Sequence, residues 1–87
     1  MLPNLKMSGR ELVSLMRRHK VTIRELSKRT GITMKRIRQV RRVGLSGLAM
    51  LDWQEAVVGE FTARMRAQLR QYQAAKLAMQ EAVMRAA

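Results

Sequence analysis

The sequence predicts an all-α protein, on three observations. Leu, Met, Ala, Arg, Gln and Glu, all good helix formers, fill most positions. Proline occurs once, at Pro3, and no stretch alternates apolar and polar residues as a half-buried strand would. Hydroxyl residues followed three places later by Glu, and glycines at 31, 44, 47 and 59, supply start and stop signals for short helices. With 87 residues there is room for one small core, because chains this short bury only about 60% of their unfolded surface. The expected architecture is a small bundle of four to five helices that ends in a long one. No internal repeat divides it.

The first helix is expected from Gly9 to His19. Ser8 and Glu11 form a capping box, in which hydroxyl and carboxylate satisfy backbone N–H groups that have no partner within the helix. Met7 and Leu12 are placed as a hydrophobic staple. The same signal returns at Thr22 and Glu25, with Val21 and Leu26 as the staple, and predicts a second helix over Ile23 to Thr30. A third start lies at Thr33, with Ile32 and Ile37 as its staple, but Arg36 stands where a box would have Glu. A cation there opposes the positive end of the helix dipole, which makes sense if a phosphate supplies the missing negative charge.

In the third helix, Thr33 to Arg42, a 100° step per residue puts Ile37 and Val40 on one side with Thr33. Lys35, Arg38, Gln39 and Arg42 fall on the opposite side. Met34 and Arg41 occupy one flank, Arg36 and Val43 the other. The charge of the whole chain is concentrated around this helix: up to Arg42 there are 13 basic residues and two acids, net +11, and beyond it five basic residues and four acids, net +1, which together make the formal +12. Such a chain attracts polyanions, nucleic acid first and an anionic membrane surface second. Like charges three or four places apart cost a few tenths of a kcal/mol each, roughly, and a bound polyanion removes that cost. Arg and Lys can donate to guanine O6 and N7 in the major groove, and Gln can pair with adenine N6 and N7. A simple electrostatic binder has no need of Gln39 in the middle of this face.

The stretch from Thr22 to Arg42 resembles the helix-turn-helix of the phage Cro and repressor (lambda repressor-like) class of DNA-binding domains. Counted from Ile23, the apolar places of that pattern are Leu26, Ile32, Ile37 and Val40, the small fifth residue is Ser27, and the turn glycine is Gly31. The resemblance covers about Met7 to Gly59. It implies that Leu12, Leu15 and Met16 pack beneath the motif, and that Thr33, Met34, Lys35, Arg38 and Gln39 face the bases. Phosphate contacts are expected from Arg36 and Arg42 and from Arg10, Arg17, Arg18, Lys20, Arg24 and Lys28. In one respect the chain departs from the class: Ile23 stands where many members carry a Gln that clamps the DNA backbone, so that contact must come from elsewhere, with Arg24 and Lys28 as candidates.

The chain is expected to divide at Gly59, with residues 1–59 as the DNA-binding domain and 60–87 as a dimerisation element. A short fourth helix is expected to end at Val58, starting from an Asp52–Glu55 capping box or from Ser46, with Trp53 in the core. Glu60 to Ala87 contains no Gly or Pro and predicts one continuous helix. Val58, Met65, Tyr72, Met79 and Ala86 recur every seven residues, with Phe61, Leu69, Ala75, Ala82 and Val83 three or four places on, a coiled-coil-like seam. Glu60 with Arg64 and Glu81 with Arg85 are spaced for pairs on one helical face. An isolated helix cannot bury such a stripe. It either folds back on the first half or packs against a second copy, and a homodimer through Val58, Phe61, Met65, Leu69, Tyr72, Met79 and Val83 is the expectation. A dimer would present two recognition helices about 34 Å apart to a two-fold related site.

No enzyme, cofactor or metal site is expected. The chain has one histidine, His19, no cysteine, and carboxylates scattered singly. His19 reads instead as the close of the first helix, and no glycine loop is built to cradle phosphate. With three aromatics, Trp53, Phe61 and Tyr72, there is little to stack unpaired bases, which disfavours an RNA adaptor. The start MLPNLKMSG is unlike a signal peptide and no apolar run spans a membrane, so a cytoplasmic, nucleoid-associated protein is expected. The leading reading is a dimeric repressor of phage or plasmid type. Its rivals are an antitoxin-type autoregulator whose C-terminal helix grips a toxin, and an architectural or excision accessory factor.

Overall fold

A computed structural model describes residues 5–86. The fold is all-α apart from one minimal two-stranded pairing. In chain order its elements are β1 (Lys6–Met7), α1 (Gly9–Arg18), α2 (Ile23–Thr30), α3 (Met34–Val43), β2 (Leu45–Ser46), α4 (Leu48–Val58) and α5 (Ala63–Ala86). The last residue of the expected long helix, Ala87, lies outside the described residues, as does Pro3.

The first three helix starts are those expected, each capped by its hydroxyl. Glu11 N–H donates to Ser8 Oγ at 3.1 Å, Glu25 N–H to Thr22 Oγ1 at 3.1 Å, and Arg36 N–H to Thr33 Oγ1 at 3.2 Å. The two carboxylates turn toward the capping hydroxyls: Ser8 Oγ and Thr22 Oγ1 each donate to their Glu Oε1 at 3.3 Å. The staples bury Met7 with Leu12 and Val21 with Leu26, and Ile37 is fully buried beside a half-buried Ile32.

Two starts differ from expectation. α4 begins at Leu48, behind Gly47, and neither Asp52 nor Ser46 caps it. The reason lies in the antiparallel pairing of Lys6 with Ser46 and Met7 with Leu45, which commits Ser46 to a strand. Gly47, at φ +66, then turns the chain, donating its N–H to Leu5 O at 2.7 Å. This earlier start brings Met50 and Leu51 into the core ahead of Asp52. α5 begins at Ala63 rather than Glu60, because Gly59 ends α4 in the left-handed region and Thr62 supplies the next cap, accepting from Met65 N–H at 3.2 Å. Glu60 therefore lies outside the helix that carries Arg64.

One core gathers Leu5, Met7, Leu12, Met16, Val21, Leu26, Ile37, Val40, Met50, Leu51, Trp53, Val57 and Met65. Met65 belongs to it, and Phe61, Leu69 and Tyr72 pack partly buried against it. The boundary expected at Gly59 thus does not separate this core from α5, whose first turns are part of it.

α1 and α3 meet backbone to backbone. A Cβ on Gly9 would overlap the Arg41 carbonyl and the Arg42 carbonyl carbon. Gly9→Ala is therefore expected to destabilise the fold by about 1–3 kcal/mol, the usual range for overpacking. Urea denaturation with an unchanged midpoint would refute that contact.

Candidate nucleic-acid interface

The turn between α2 and α3 fixes how α3 is presented. Gly31 closes α2 at φ +74, a conformation that costs a residue with a side chain, and its N–H returns to Ser27 O at 2.8 Å. Ser27 is more than a small residue. Its hydroxyl donates to Ile32 O at 2.6 Å, while Thr30 Oγ1 donates to Leu26 O at 2.8 Å and accepts from Ile32 N–H at 3.1 Å. Three side-chain hydrogen bonds thus hold the turn into α3.

α3 is anchored by two side chains, Ile37 and Val40, both at 0% exposure. Across from them Lys35, Arg38, Gln39 and Arg42 are all exposed, together with Thr33 at the cap. The flanks are unequal. Met34 and Arg41 are half-buried, whereas Arg36 is exposed and Val43 is 71% exposed. The open face is therefore rotated toward Arg36 and Val43, and both join it. Arg36 Nη1 donates to Gln39 Oε1 at 2.9 Å, tying the flank to the centre of the face. From Leu26 to Leu51 the chain has no acid, so the cations of this face have no carboxylate on their own helix or the turns beside it.

Arg17, Lys20, Arg24 and Lys28 are also exposed, at the end of α1, in the turn after it, and on α2. Arg10 and Arg18 are exposed too, but they line a cleft of about 780 Å³ between α1, the end of α4 and the start of α5, together with Arg64, Glu11 and Glu60. No α3 residue borders that cleft, so Arg10 and Arg18 share it with the carboxylates of Glu11 and Glu60 and not with the cations of α3. Arg29 is a cation with a structural role. Its Nη1 donates to Ala56 O at 3.1 Å and Val57 O at 3.5 Å, carbonyls of the last turn of α4. A cation suits the negative end of a helix dipole.

The expected dimer seam is divided. Met65 is in the core of its own chain, and Val58, Phe61, Leu69 and Tyr72 are partly buried against it. Met79 and Val83 are uncovered, and so are two apolar residues outside the expected set, Leu77 and Met84, the last at 77% exposure. Their place beyond the last contact with the core was not readable from a seven-residue spacing.

Among the described residues no group of three or more His, Cys, Asp or Glu could hold a metal ion, and no helix is long and apolar enough to cross a membrane. Comparison of the chain with protein-family models, curated proteins and solved structures finds no match.

Arg29→Ala is expected to lower stability by about 1 kcal/mol through loss of its bond to the end of α4. Thermal unfolding checks this, and a wild-type Tm would show that the bond contributes nothing.

Proposed function

We propose that this chain is a sequence-specific regulator of transcription that binds double-stranded DNA, of the phage or plasmid repressor type and resembling the Cro and repressor class. α3 enters the major groove. The observation that carries this reading is the division of α3 into a sealed aliphatic side and an exposed side made of Lys35, Arg36, Arg38, Gln39 and Arg42. A helix fits the major groove, and its exposed residue types suit base edges and phosphates alike. Arg38 and Gln39 read bases, with Thr33 and Lys35 beside them and the half-buried Met34 only at the edge of that group, and Arg42, Arg24, Lys28, Arg17 and Lys20 follow the phosphates. Val43 offers an apolar contact of the kind a thymine methyl accepts.

Arg38→Ala or Gln39→Ala is expected to reduce discrimination between specific and random duplex by about 1–3 kcal/mol, whereas Arg42→Ala weakens all duplexes alike. Competition binding at fixed salt distinguishes them. Equal losses on both duplexes for all three variants would remove the base-reading role.

The protein acts as a dimer through the distal part of α5, where Leu77, Met79, Val83 and Met84 are exposed in their own chain. The same exposed end would serve an antitoxin-type regulator that grips a toxin. Removing residues 77–87 is expected to leave the Tm near wild type, since Met65, Leu69 and Tyr72 remain, and to convert a dimer to a monomer on measurement of mass in solution. A full-length chain that is already monomeric would favour the toxin-binding reading.

A further inference from the structure

The hydrogen bonds of α3 also bear on which base it reads. Five side chains carry polar groups on the open face: Lys35, Arg36, Arg38 and Arg42 can only donate, and Gln39 can donate and accept. Thr33, at the cap, is the other residue there with an acceptor. Arg36 engages both acceptors. Its backbone N–H donates to Thr33 Oγ1 at 3.2 Å, and its guanidinium donates to Gln39 Oε1 at 2.9 Å. The groups of the face that remain wholly free are then donors: the Gln39 Nε2 hydrogens, the remaining Arg36 N–H groups, and the ammonium and guanidinium groups of Lys35, Arg38 and Arg42.

A glutamine pairs with adenine by donating to N7 and accepting from the N6 amino group. With Oε1 bonded to the Arg36 guanidinium, one of its two lone pairs is taken and a cation lies against it, so an adenine N6 amino group would have to share that oxygen with Arg36, whereas the Nε2 donors are left free. Guanine offers two adjoining acceptors, N7 and O6, and no donor on its own major-groove edge. Two donors side by side, Gln39 Nε2 and an Arg36 N–H, match it.

We propose that Arg36 is a specificity-determining residue, which by holding Gln39 Oε1 makes the pair read guanine and reject adenine. This rests on the DNA-binding reading above and replaces the phosphate contact expected of Arg36. As a cation at the third position of its helix Arg36 is unfavourable to the dipole, and its bond to Gln39 gives that placement a use.

The test is selection of bound duplexes from a random pool by the full chain and by Arg36→Met, which keeps the aliphatic stem and removes every side-chain donor. The Gln39→Ala variant identifies the base position that Gln39 reads, as the position at which preference is lost. At that position wild type is expected to favour guanine over adenine by about ten-fold, within the range of one bidentate contact. In Arg36→Met, Oε1 is released, and adenine is expected to rise to or above guanine. Adenine in the wild-type selection would overturn the proposal, and so would an Arg36→Met variant that binds every duplex more weakly with its guanine preference intact. A wild type that selects no duplex over random sequence would end the DNA-reading assignment itself, and the proposal with it. The side-chain amide resonances of Gln39, recorded without DNA, separate that failure from failure of the pair: they are expected to shift in Arg36→Met, and unshifted resonances would show that the bond does not form.

Discussion

Ten residues of α3 are held in place by two buried side chains. Ile37 and Val40 are the whole of its fully buried surface, and full burial of such residues contributes about 1.5–3 kcal/mol each. So small an anchor cannot by itself fix the direction in which the other side points. Direction comes from the ends. At the start, the Ser27 and Thr30 hydroxyls and Gly31 lock the turn; at the far end, Gly9 lets the first turn of α1 approach the backbone at Arg41. The pairing of β1 with β2 holds the chain that leaves α3 at Gly44. The narrow stripe and the close approach are two aspects of one design. Because the stripe is narrow, most of the helix surface stays free, and because α1 comes so close, that surface is aimed.

Much of this was legible in the sequence, and physics explains which parts. The caps at Ser8, Thr22 and Thr33 depend on residues no more than four places apart, so local spacing was enough to find them. The split of α3 into aliphatic and cationic sides follows from helical periodicity alone. By contrast, the start of α4 depends on Lys6 and Met7 pairing with Leu45 and Ser46, a contact between residues about forty places apart with no alternation to announce it. Arg29 read as one more cation in a basic run, since nothing local says that the carbonyls of Ala56 and Val57 will be within its reach. Gly9 sat inside a capping box that already accounted for its neighbours. The tilt of the open face toward Arg36 follows from how the rest of the chain covers the other flank, which a helical wheel treats as symmetric.

The seven-residue spacing in α5 held a similar ambiguity. One stripe runs the length of the helix, but its own core covers only the first part. Met65, Leu69 and Tyr72 complete the core of their own chain, and the stripe then continues past the edge of that core to Met79 and Val83. Periodicity cannot locate that edge, because a side chain buried by its own domain and one buried by a partner have the same spacing. Length limits how far folding back can go: the core reaches only as far as Tyr72, and 14 residues of helix follow it, Gln73 to Ala86.

Arg36 concentrates the electrostatic logic of the chain. A carboxylate at its position would favour the helix dipole and complete the box that Thr33 begins, as Glu11 and Glu25 do for their helices. That choice would also place a negative charge and a further acceptor on a face that has no acid and whose two side-chain acceptors, Thr33 Oγ1 and Gln39 Oε1, are already engaged by Arg36. With Arg, the helix start relies on Thr33 alone, and the polarity of the face stays uniform. Thr33 and Gln39, the residues that could soften it, both have their oxygens turned to Arg36. A face of one electrostatic sign on which donors far outnumber acceptors is poorly suited to packing against protein, where the two are mixed, and well suited to phosphates and to the acceptor-rich edge of guanine. The stability given up at the start of α3 is thus the counterpart of that uniform charge, which the proposed reading of DNA would use.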